Sequence, residues 1–205
     1  MIRPALLALA LPAAVQAQAL DSVYTSYDWA EDCQTLDQVV PPDEAGMGFR
    51  VVCPGPDGMH LMLADGDARI SMDYGSTREF GPWESFESFS SVHDTVEWRR
   101  QRLNGEMTPF ATIHRWFVGP SDAAREILVI SSVARAPMEE SCMVGFIDTT
   151  NTTGANALAR DVAERYAPGF VCGNARARGF GYVGVETPIP RRVPSYPDTA
   201  TGDQP

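Results

Sequence analysis

Short segments in which apolar and polar residues alternate occupy much of the chain before residue 150. The clearest is 68–74, where every second residue from Ile70 to Tyr74 is apolar and the residues between are polar. Such alternation predicts a strand with one buried face and one solvated face. Residues 59–64 form another apolar-rich run, and the intervening Asp65-Gly66-Asp67 predicts a β-hairpin. Further extended segments are predicted at 24–36, 48–53, 95–103, 110–118, 126–134 and 142–148.

The segment 154–167 has the periodicity of an amphipathic helix, with apolar residues at helical spacing. Thr152 or Thr153 is the predicted N-cap, and Pro168-Gly169 is expected to end the helix. Residues 127–130 are apolar on both faces, which predicts a central strand covered on both sides. Because the helix follows the strands, the sequence predicts an α+β fold, a mainly antiparallel sheet with one C-terminal amphipathic helix packed on it and stabilised by disulfides.

The two ends of the chain differ from its middle. The sequence predicts a secretory signal peptide over 1–19. One arginine precedes an apolar run from Pro4 to Val15, and a cleavage segment with small residues, Ala17-Gln18-Ala19, follows that run. That run is too short for a permanent transmembrane helix, so no membrane span is expected in the mature chain. Residues 185–205 are rich in proline and predict a disordered tail. Residues 20–184 are therefore expected to form a single globular α+β domain.

The formal net charge is −11, and all 16 basic residues are arginine. A strongly acidic surface argues against binding nucleic acid, whose phosphates require a basic face, and against binding anionic membranes. The absence of lysine excludes Schiff-base and P-loop mechanisms. The expected partner is a basic protein or another component of the cell envelope.

The four cysteines follow the predicted leader at Cys33, Cys53, Cys142 and Cys172. An even number of cysteines in an exported protein predicts disulfide bonds. Three pairings are possible, and Cys33–Cys53 with Cys142–Cys172 is favoured because each pair brackets a contiguous segment. A four-cysteine metal site is disfavoured because no C-x₂-C spacing is present. No metal or other cofactor is expected.

Aromatic residues recur every three positions at Phe80, Trp83, Phe86 and Phe89, interleaved with glutamates. Two interpretations are open for this segment. The rings pack into a satellite core beneath a loop, or they form a contact surface for a sugar or a protein partner. The interleaved carboxylates would favour a basic partner, so these four residues are the candidate binding site.

Motifs for catalysis are missing. Neither a G-x-S-x-G elbow nor an H-E-x-x-H motif is present, so no catalytic residue is assigned and a non-enzymatic role is favoured. His93 and Asp94 have the chemistry of a general base with an orienting carboxylate, but adjacent residues on a regular strand point apart. An envelope-directed hydrolase is one alternative, and it requires His93, His114 and acidic residues to meet in one cleft.

Soft metal ligands suggest a second alternative. His60 and Met62 point the same way on a strand, and imidazole plus thioether suits Cu(I), as in a periplasmic copper-binding protein. The competing interpretation is core packing, because methionine commonly fills irregular cores.

Four short patterns extend over the predicted domain. They are Cys53-Pro54-Gly55, Gly66-Asp67 with Arg69 and Tyr74-Gly75, Glu97-Trp98-Arg99, and Phe110-Ala111-Thr112-Ile113. On these residues the chain resembles a group of short exported bacterial proteins of unassigned function. The resemblance implies an exported, disulfide-linked domain and supplies no catalytic residues.

These observations together predict an exported, non-enzymatic binding module of the bacterial envelope, either periplasmic or secreted. It is expected to bind or inhibit a basic protein partner. One specific version is an inhibitor of a basic cell-wall hydrolase such as lysozyme, because charge complementarity would speed that encounter.

Overall fold

The computed structural model describes residues 19–37, 48–136, 140–173 and 176–193. The predicted signal peptide, apart from Ala19, and the last part of the predicted tail lie outside the described residues. Within these ranges the chain forms one α-helix, α1 (Ala155–Tyr166), a 3₁₀ helix (Pro56–Gly58) and twelve strands. The strands are β1 (Leu20–Ser26), β2 (Gln34–Asp37), β3 (Gly48–Pro54), β4 (His60–Gly66), β5 (Arg69–Gly75), β6 (Glu84–Phe86), β7 (Ser90–Leu103), β8 (Glu106–Val118), β9 (Arg125–Ser132), β10 (Met143–Asp148), β11 (Arg178–Gly179) and β12 (Pro190–Arg192).

The strands form two larger sheets and one small one. Six strands pair in the order β1-β7-β8-β9-β10-β11, four pair in the order β2-β3-β4-β5, and β6 pairs with β12. All of these pairings are antiparallel except the short parallel pairing of β10 with β11. The first sheet is therefore mixed but mostly antiparallel, and with a single α-helix the architecture fits the α+β class.

Two hydrophobic clusters lie on opposite faces of β9. Ile127 and Val129 belong to a cluster that also takes side chains from the four-stranded sheet. Leu128 and Ile130 belong to the other cluster, which contains the buried helix residues Ala159, Val162 and Ala163. This is the two-sided burial that the apolar run at 127–130 predicts.

A partly buried ion-pair network joins α1 to β1 and β7. Arg160 donates to both carboxylate oxygens of Glu97 at 2.7 and 3.1 Å, and the Ser22 hydroxyl donates to Glu97 at 2.5 Å. Arg99 pairs with Glu164 on the helix. Burial alone would raise the pKa of Glu97, but the hydrogen bonds from Arg160 and Ser22 hold it below its usual value.

The N-terminus of α1 differs from the prediction. The N-cap is Gly154, and no side chain caps the helix there. The hydroxyl of Thr152, one of the two predicted caps, instead accepts the Tyr182 N–H at 3.2 Å. The C-terminal segment therefore uses the hydroxyl that the sequence pattern assigns to the helix.

Two disulfide bonds join Cys33 to Cys53 and Cys142 to Cys172, which are the pairings that the sequence favours. Disulfides persist in oxidising environments outside the cytosol, so the pair of bonds is typical of an extracytoplasmic protein. Among the described residues, no helix is long and apolar enough to cross a membrane.

The sequence places the start of a disordered tail at residue 185, but the structure shows a strand beyond that point. Pro190–Arg192 pairs with β6, and the Val193 N–H donates to the Trp83 carbonyl at 2.8 Å. Thr187 is buried and donates to Asp148 at 3.2 Å. The proline-rich composition is compatible with a short edge strand, where a missing N–H is tolerated. Residues 194–205 lie outside the described part.

Candidate functional site

The turn between β1 and β2 forms one wall of a cleft of about 390 Å³. We call it the acidic cleft, and its lining residues are Ser26, Tyr27, Asp28, Trp29, Asp32 and Asp94. Asp94 comes from β7, so the cleft joins two segments that are distant in the sequence. Three of its six lining residues carry carboxylates.

The backbone holds the carboxylates of this turn in place. Asp28 Oδ1 accepts the N–H groups of Ala30 and Glu31 at 2.8 and 3.3 Å. Asp32 Oδ2 accepts the Asp28 N–H at 2.8 Å, and the Asp32 N–H donates back to the Asp28 carbonyl at 2.8 Å. These bonds use one oxygen of each carboxylate, so charge is fixed at the cleft without being neutralised.

Among the described residues, arginine does not neutralise these charges either. Within the described ranges, none of Asp28, Asp32 and Asp94 forms an ion pair with an arginine. Nine arginines pair with carboxylates elsewhere: Arg69, Arg99, Arg100, Arg115, Arg125, Arg160, Arg165, Arg191 and Arg192.

An aromatic wall accompanies the carboxylates. Trp29 is half-buried and packs edge-on against Tyr27, with ring centroids 4.1 Å apart. A guanidinium or ammonium group in the cleft could contact the Trp29 ring and the carboxylates together, which is a favourable setting for a cation. The arrangement therefore suits a positively charged group of a ligand.

His93 and Asp94 do contact each other, contrary to the expectation from regular strand geometry. His93 Nδ1 lies 2.8 Å from Asp94 Oδ1, and both side chains are exposed. The register of β7 against β8 shifts between Val92 and Val96, so three residues of β7 lie opposite one residue of β8. This bulge ends the alternation on which the expectation depended.

His114 lies beneath the cleft and is fully buried. Its Nε2 lies 2.6 Å from the His93 carbonyl and therefore donates to it, while its Nδ1 accepts the Tyr74 hydroxyl at 2.8 Å. The Tyr27 hydroxyl donates to the same His93 carbonyl at 2.9 Å. Burial lowers the pKa of His114 to about 4, so the ring is neutral at neutral pH.

The hydrolase hypothesis requires His93, His114 and acidic side chains in one open cleft. The His114 ring does approach His93, but it meets the backbone carbonyl, and both ring nitrogens are already hydrogen-bonded. Because His114 has no exposed surface, it cannot reach a substrate. His114 therefore belongs to the core beneath the acidic cleft, and the side chains of His93 and Asp94 are exposed without it.

One of the four aromatic residues of the predicted contact surface, Phe86, is separated from the other three. Phe86 is buried between the sheets and packs against Trp116 with centroids 5.5 Å apart. Phe89 is half exposed beneath the Arg69 guanidinium, and Phe80 lies beneath that of Arg50.

Trp83 lies over Gly66, where an added Cβ would come within 3.2 Å of its ring. The turn of the predicted hairpin falls at Asp67-Ala68, both with positive φ, and Gly66 ends β4. Phe86 thus enters the core, whereas Phe80, Trp83 and Phe89 contact Arg50, Gly66 and Arg69, which share one face of the four-stranded sheet.

One of the two soft ligands of the copper hypothesis is closed to solvent, and the other lies beside an arginine. Met62 is 1% exposed, so its thioether is closed to solvent. Arg78 donates to His60 Nε2 at 3.4 Å, which places a cation beside the imidazole. In the described part of the chain, no group of three or more His, Cys, Asp or Glu side chains is placed to hold a metal ion.

Two buried carboxyl groups lie away from the acidic cleft, Asp73 on β5 and Glu84 on β6. Asp73 accepts the Gly81 N–H at 3.0 Å, and Glu84 accepts the Met143 N–H at 2.7 Å. Desolvation raises the pKa of each to about 7, because burial outweighs these hydrogen bonds and the nearby charge of Arg192.

The two buried carboxyl groups line separate clefts. Glu84 lines a cleft of about 1030 Å³, which we call the C-terminal cleft because most of its wall is formed by 173–192. Asp73 lines a smaller cleft of about 310 Å³. They therefore do not form a pair that could act on one substrate from the same cleft.

Sequence reasoning missed the acidic cleft, because 24–36 was predicted as extended with an acidic interruption. A local signal was present, since Asp28 and Asp32 lie four residues apart around Trp29 and aspartate commonly hydrogen-bonds the backbone of turns. The contribution of Asp94 had no local signal.

No family model matches the chain, and neither curated proteins nor solved structures show a significant match to it.

Proposed function

We propose that this protein is an exported, non-enzymatic binding module of the bacterial envelope that binds a basic protein partner through the acidic cleft. The observation that carries the proposal is the set of three carboxylates beside Trp29, none of them ion-paired with an arginine among the described residues. A positively charged side chain of the partner would complete these interactions.

The expected location of the protein outside the cytosol and its net negative charge support the same proposal. The two disulfides and the signal-like leader favour a periplasmic or secreted protein. The net charge of −11 would attract a basic partner over a distance and speed association at low ionic strength. Binding should therefore weaken as salt is added, mainly through a slower association rate.

The test uses lysozyme as the basic partner. We expect the oxidised protein to bind lysozyme and to slow its lysis of cell walls when present in excess. The variant Asp28→Asn/Asp32→Asn/Asp94→Asn should bind at least about tenfold more weakly, because it removes the charge of the cleft while asparagine can still accept the backbone bonds of the turn.

A charge-matched control separates the cleft from the overall charge. Glu79→Gln/Glu106→Gln/Asp122→Asn removes the same number of charges at exposed positions outside the cleft. It should change the affinity only slightly. The proposal is rejected if both triple variants weaken binding equally, or if the wild-type protein leaves lysozyme unbound and the lytic rate unchanged.

A second candidate function is supported by Glu84. A carboxyl group with a pKa of about 7 in the wall of a cleft of about 1030 Å³ has the properties of a general acid. The corresponding proposal is an envelope-directed hydrolase acting in the C-terminal cleft. It predicts release of soluble fragments from purified peptidoglycan by the wild-type protein and loss of that release in Glu84→Gln. Equal release by the two proteins, or none by either, rejects it.

A further inference from the structure

The strand β1 forms one edge of the six-stranded sheet, and its pairing with β7 identifies which backbone groups face outward. The Arg102 N–H donates to the Ala19 carbonyl at 3.2 Å, and the Tyr27 N–H donates to the Asp94 carbonyl at 3.1 Å. In an antiparallel pair the residues bonded to the partner strand alternate with those that are not. The odd-numbered residues from 19 to 27 therefore bond β7.

The N–H and C=O groups of Leu20, Ser22, Tyr24 and Ser26 consequently point away from the sheet. No backbone group in the described ranges bonds to them. These residues form what we call the open edge. Its side chains Leu20 and Tyr24 are 41% and 57% exposed.

Other sheet edges are shorter or covered. The opposite edge of the same sheet is β11, which has two residues, and β2 has four. Along β5, the Ala134 N–H donates to the Tyr74 carbonyl and the Ala134 carbonyl accepts the Ser76 N–H. The Ser90 N–H donates to the Ala68 carbonyl, and the Ser90 hydroxyl accepts the Ile70 N–H. Within the described part, β1 is thus the longest strand edge without a backbone partner.

Proteins commonly protect such edges with proline, lysine or inward-pointing charges. The open edge has no proline and no lysine. The one charged residue of β1, Asp21, is neutralised by bonds from Arg100 at 2.9 and 2.8 Å. The strand β1 has seven residues, so its unprotected edge is long enough to receive an added strand.

The open edge leads directly into the acidic cleft. Ser26 is the last residue of the edge and also lines the cleft, next to Asp28 and Asp94. A strand added to β1 would therefore place a side chain near its end beside three carboxylates. This continuity selects a basic segment, whereas a second copy of this chain would bring another net charge of −11 to the same edge.

We propose that the basic partner docks as an extended segment that adds a strand to the open edge of β1 and places a cationic side chain in the acidic cleft. This inference rests on the proposed binding function and names its mode. Main-chain hydrogen bonds along β1 would supply affinity, and the cationic side chain would supply specificity.

The probe is a synthetic peptide of alternating valine and arginine, about nine residues long, enough to span the edge at roughly 3.3 Å per residue. Its affinity is measured by fluorescence anisotropy against the oxidised protein and two variants. Tyr24→Pro removes one outward N–H, while Tyr24→Ala keeps that N–H and loses the same side chain. We expect the proline variant to bind at least about tenfold more weakly than the alanine variant.

A second measurement does not depend on the proline variant folding. In the wild-type protein saturated with peptide, amide hydrogen exchange at Ser22, Tyr24 and Ser26 should slow by at least about tenfold. Exchange at Val23 and Thr25, which already bond β7, should change little and serves as the internal control.

The outcomes separate the docking mode from the binding function. Peptide binding with no added protection along the open edge, or with equal affinity for the two Tyr24 variants, overturns the added strand. If lysozyme binds through the acidic cleft but the peptide does not bind, the added strand is overturned and the proposed function stands. If neither binds, both are overturned.

Discussion

Replacing Glu84 by glutamine should change how the stability of the protein depends on pH. Glu84 is 6% exposed, and the pKa of its carboxyl group in the folded protein is raised from 4.5 to about 7. The folded protein therefore binds a proton at Glu84 more tightly than the unfolded chain does. Stability from this group is fully present below about pH 4.5, falls as the pH rises towards 7, and is lost above that.

The size of this effect follows from the two pKa values. Each pKa unit corresponds to about 1.4 kcal/mol, so the shift of Glu84 from 4.5 to about 7 amounts to about 3 kcal/mol at full ionisation. Glutamine is neutral at every pH and can still accept the Met143 N–H. Relative to wild type, Glu84→Gln should thus become more stable by up to about 3 kcal/mol between pH 4.5 and pH 8.

Urea unfolding at several pH values between about 4.5 and 8, followed by tryptophan fluorescence, measures this difference. Asp73 has a pKa raised to about 7 for the same reason. Glu84→Gln should therefore keep the part of the pH dependence of stability that Asp73 causes. The double variant Asp73→Asn/Glu84→Gln should lose nearly all of the pH dependence of stability that these two carboxyl groups cause. Parallel stability profiles for wild type and Glu84→Gln would refute the reasoning, and the exposed Glu106→Gln serves as the control.

The remaining predictions concern the core, a disulfide and the buried histidine. Phe86→Ala should lower the free energy of unfolding by about 3–5 kcal/mol because Phe86 is 2% exposed, whereas Phe89→Ala should change it by less than about 0.5 kcal/mol; equal losses in urea unfolding would contradict this separation. Cys142→Ala/Cys172→Ala should cost about 3–4 kcal/mol, from the sequence separation of 30 residues, and an unchanged thermal midpoint would contradict it. The pKa of His114 is lowered from 6.5 to about 4, so its contribution of about 3 kcal/mol to the free energy of unfolding should be lost as the pH falls from 6.5 to 4. His114→Gln should remove that acid sensitivity, and the same dependence of stability on pH in wild type and variant would count against it.

Elements with strong local signals could be predicted from the sequence. Alternation between Ile70 and Tyr74 identified β5, and the helical spacing of Ala159, Val162 and Ala163 identified α1. The predicted solvated face of β5 was wrong, because Ser71 and Asp73 on that face are buried beneath β6 and its preceding loop. Of three possible disulfide pairings, the one favoured because each pair brackets a contiguous segment is confirmed. In each case the residues that carry the signal are close together in the sequence.

Elements that depend on distant partners could not be predicted. The strands β6 and β12 have three residues each and pair across about one hundred positions, so neither forms a recognisable pattern alone. Glu97 and Arg99 lie on β7 and are buried because Arg160 and Glu164 on the helix neutralise them. Charge alone gives no indication of such burial.

The acidic cleft contains residues with a local sequence signal and a residue whose position depends on a distant strand. The turn from Asp28 to Asp32 carries a local signal, because aspartate side chains at its two ends can bond the backbone of the turn. Asp94 reaches the cleft only because a bulge in β7 alters the direction of successive side chains. A bulge depends on the pairing of two strands and cannot be inferred from one of them.

Backbone and indole chemical-shift changes during titration with lysozyme test the central claim most directly. The account predicts that the largest changes fall on the Trp29 indole and on the amides of residues 26–32 and 94, and that they shrink as salt is added. It is contradicted if the largest changes fall on residues 185–192 of the C-terminal cleft, or if a molar excess of lysozyme changes no signal.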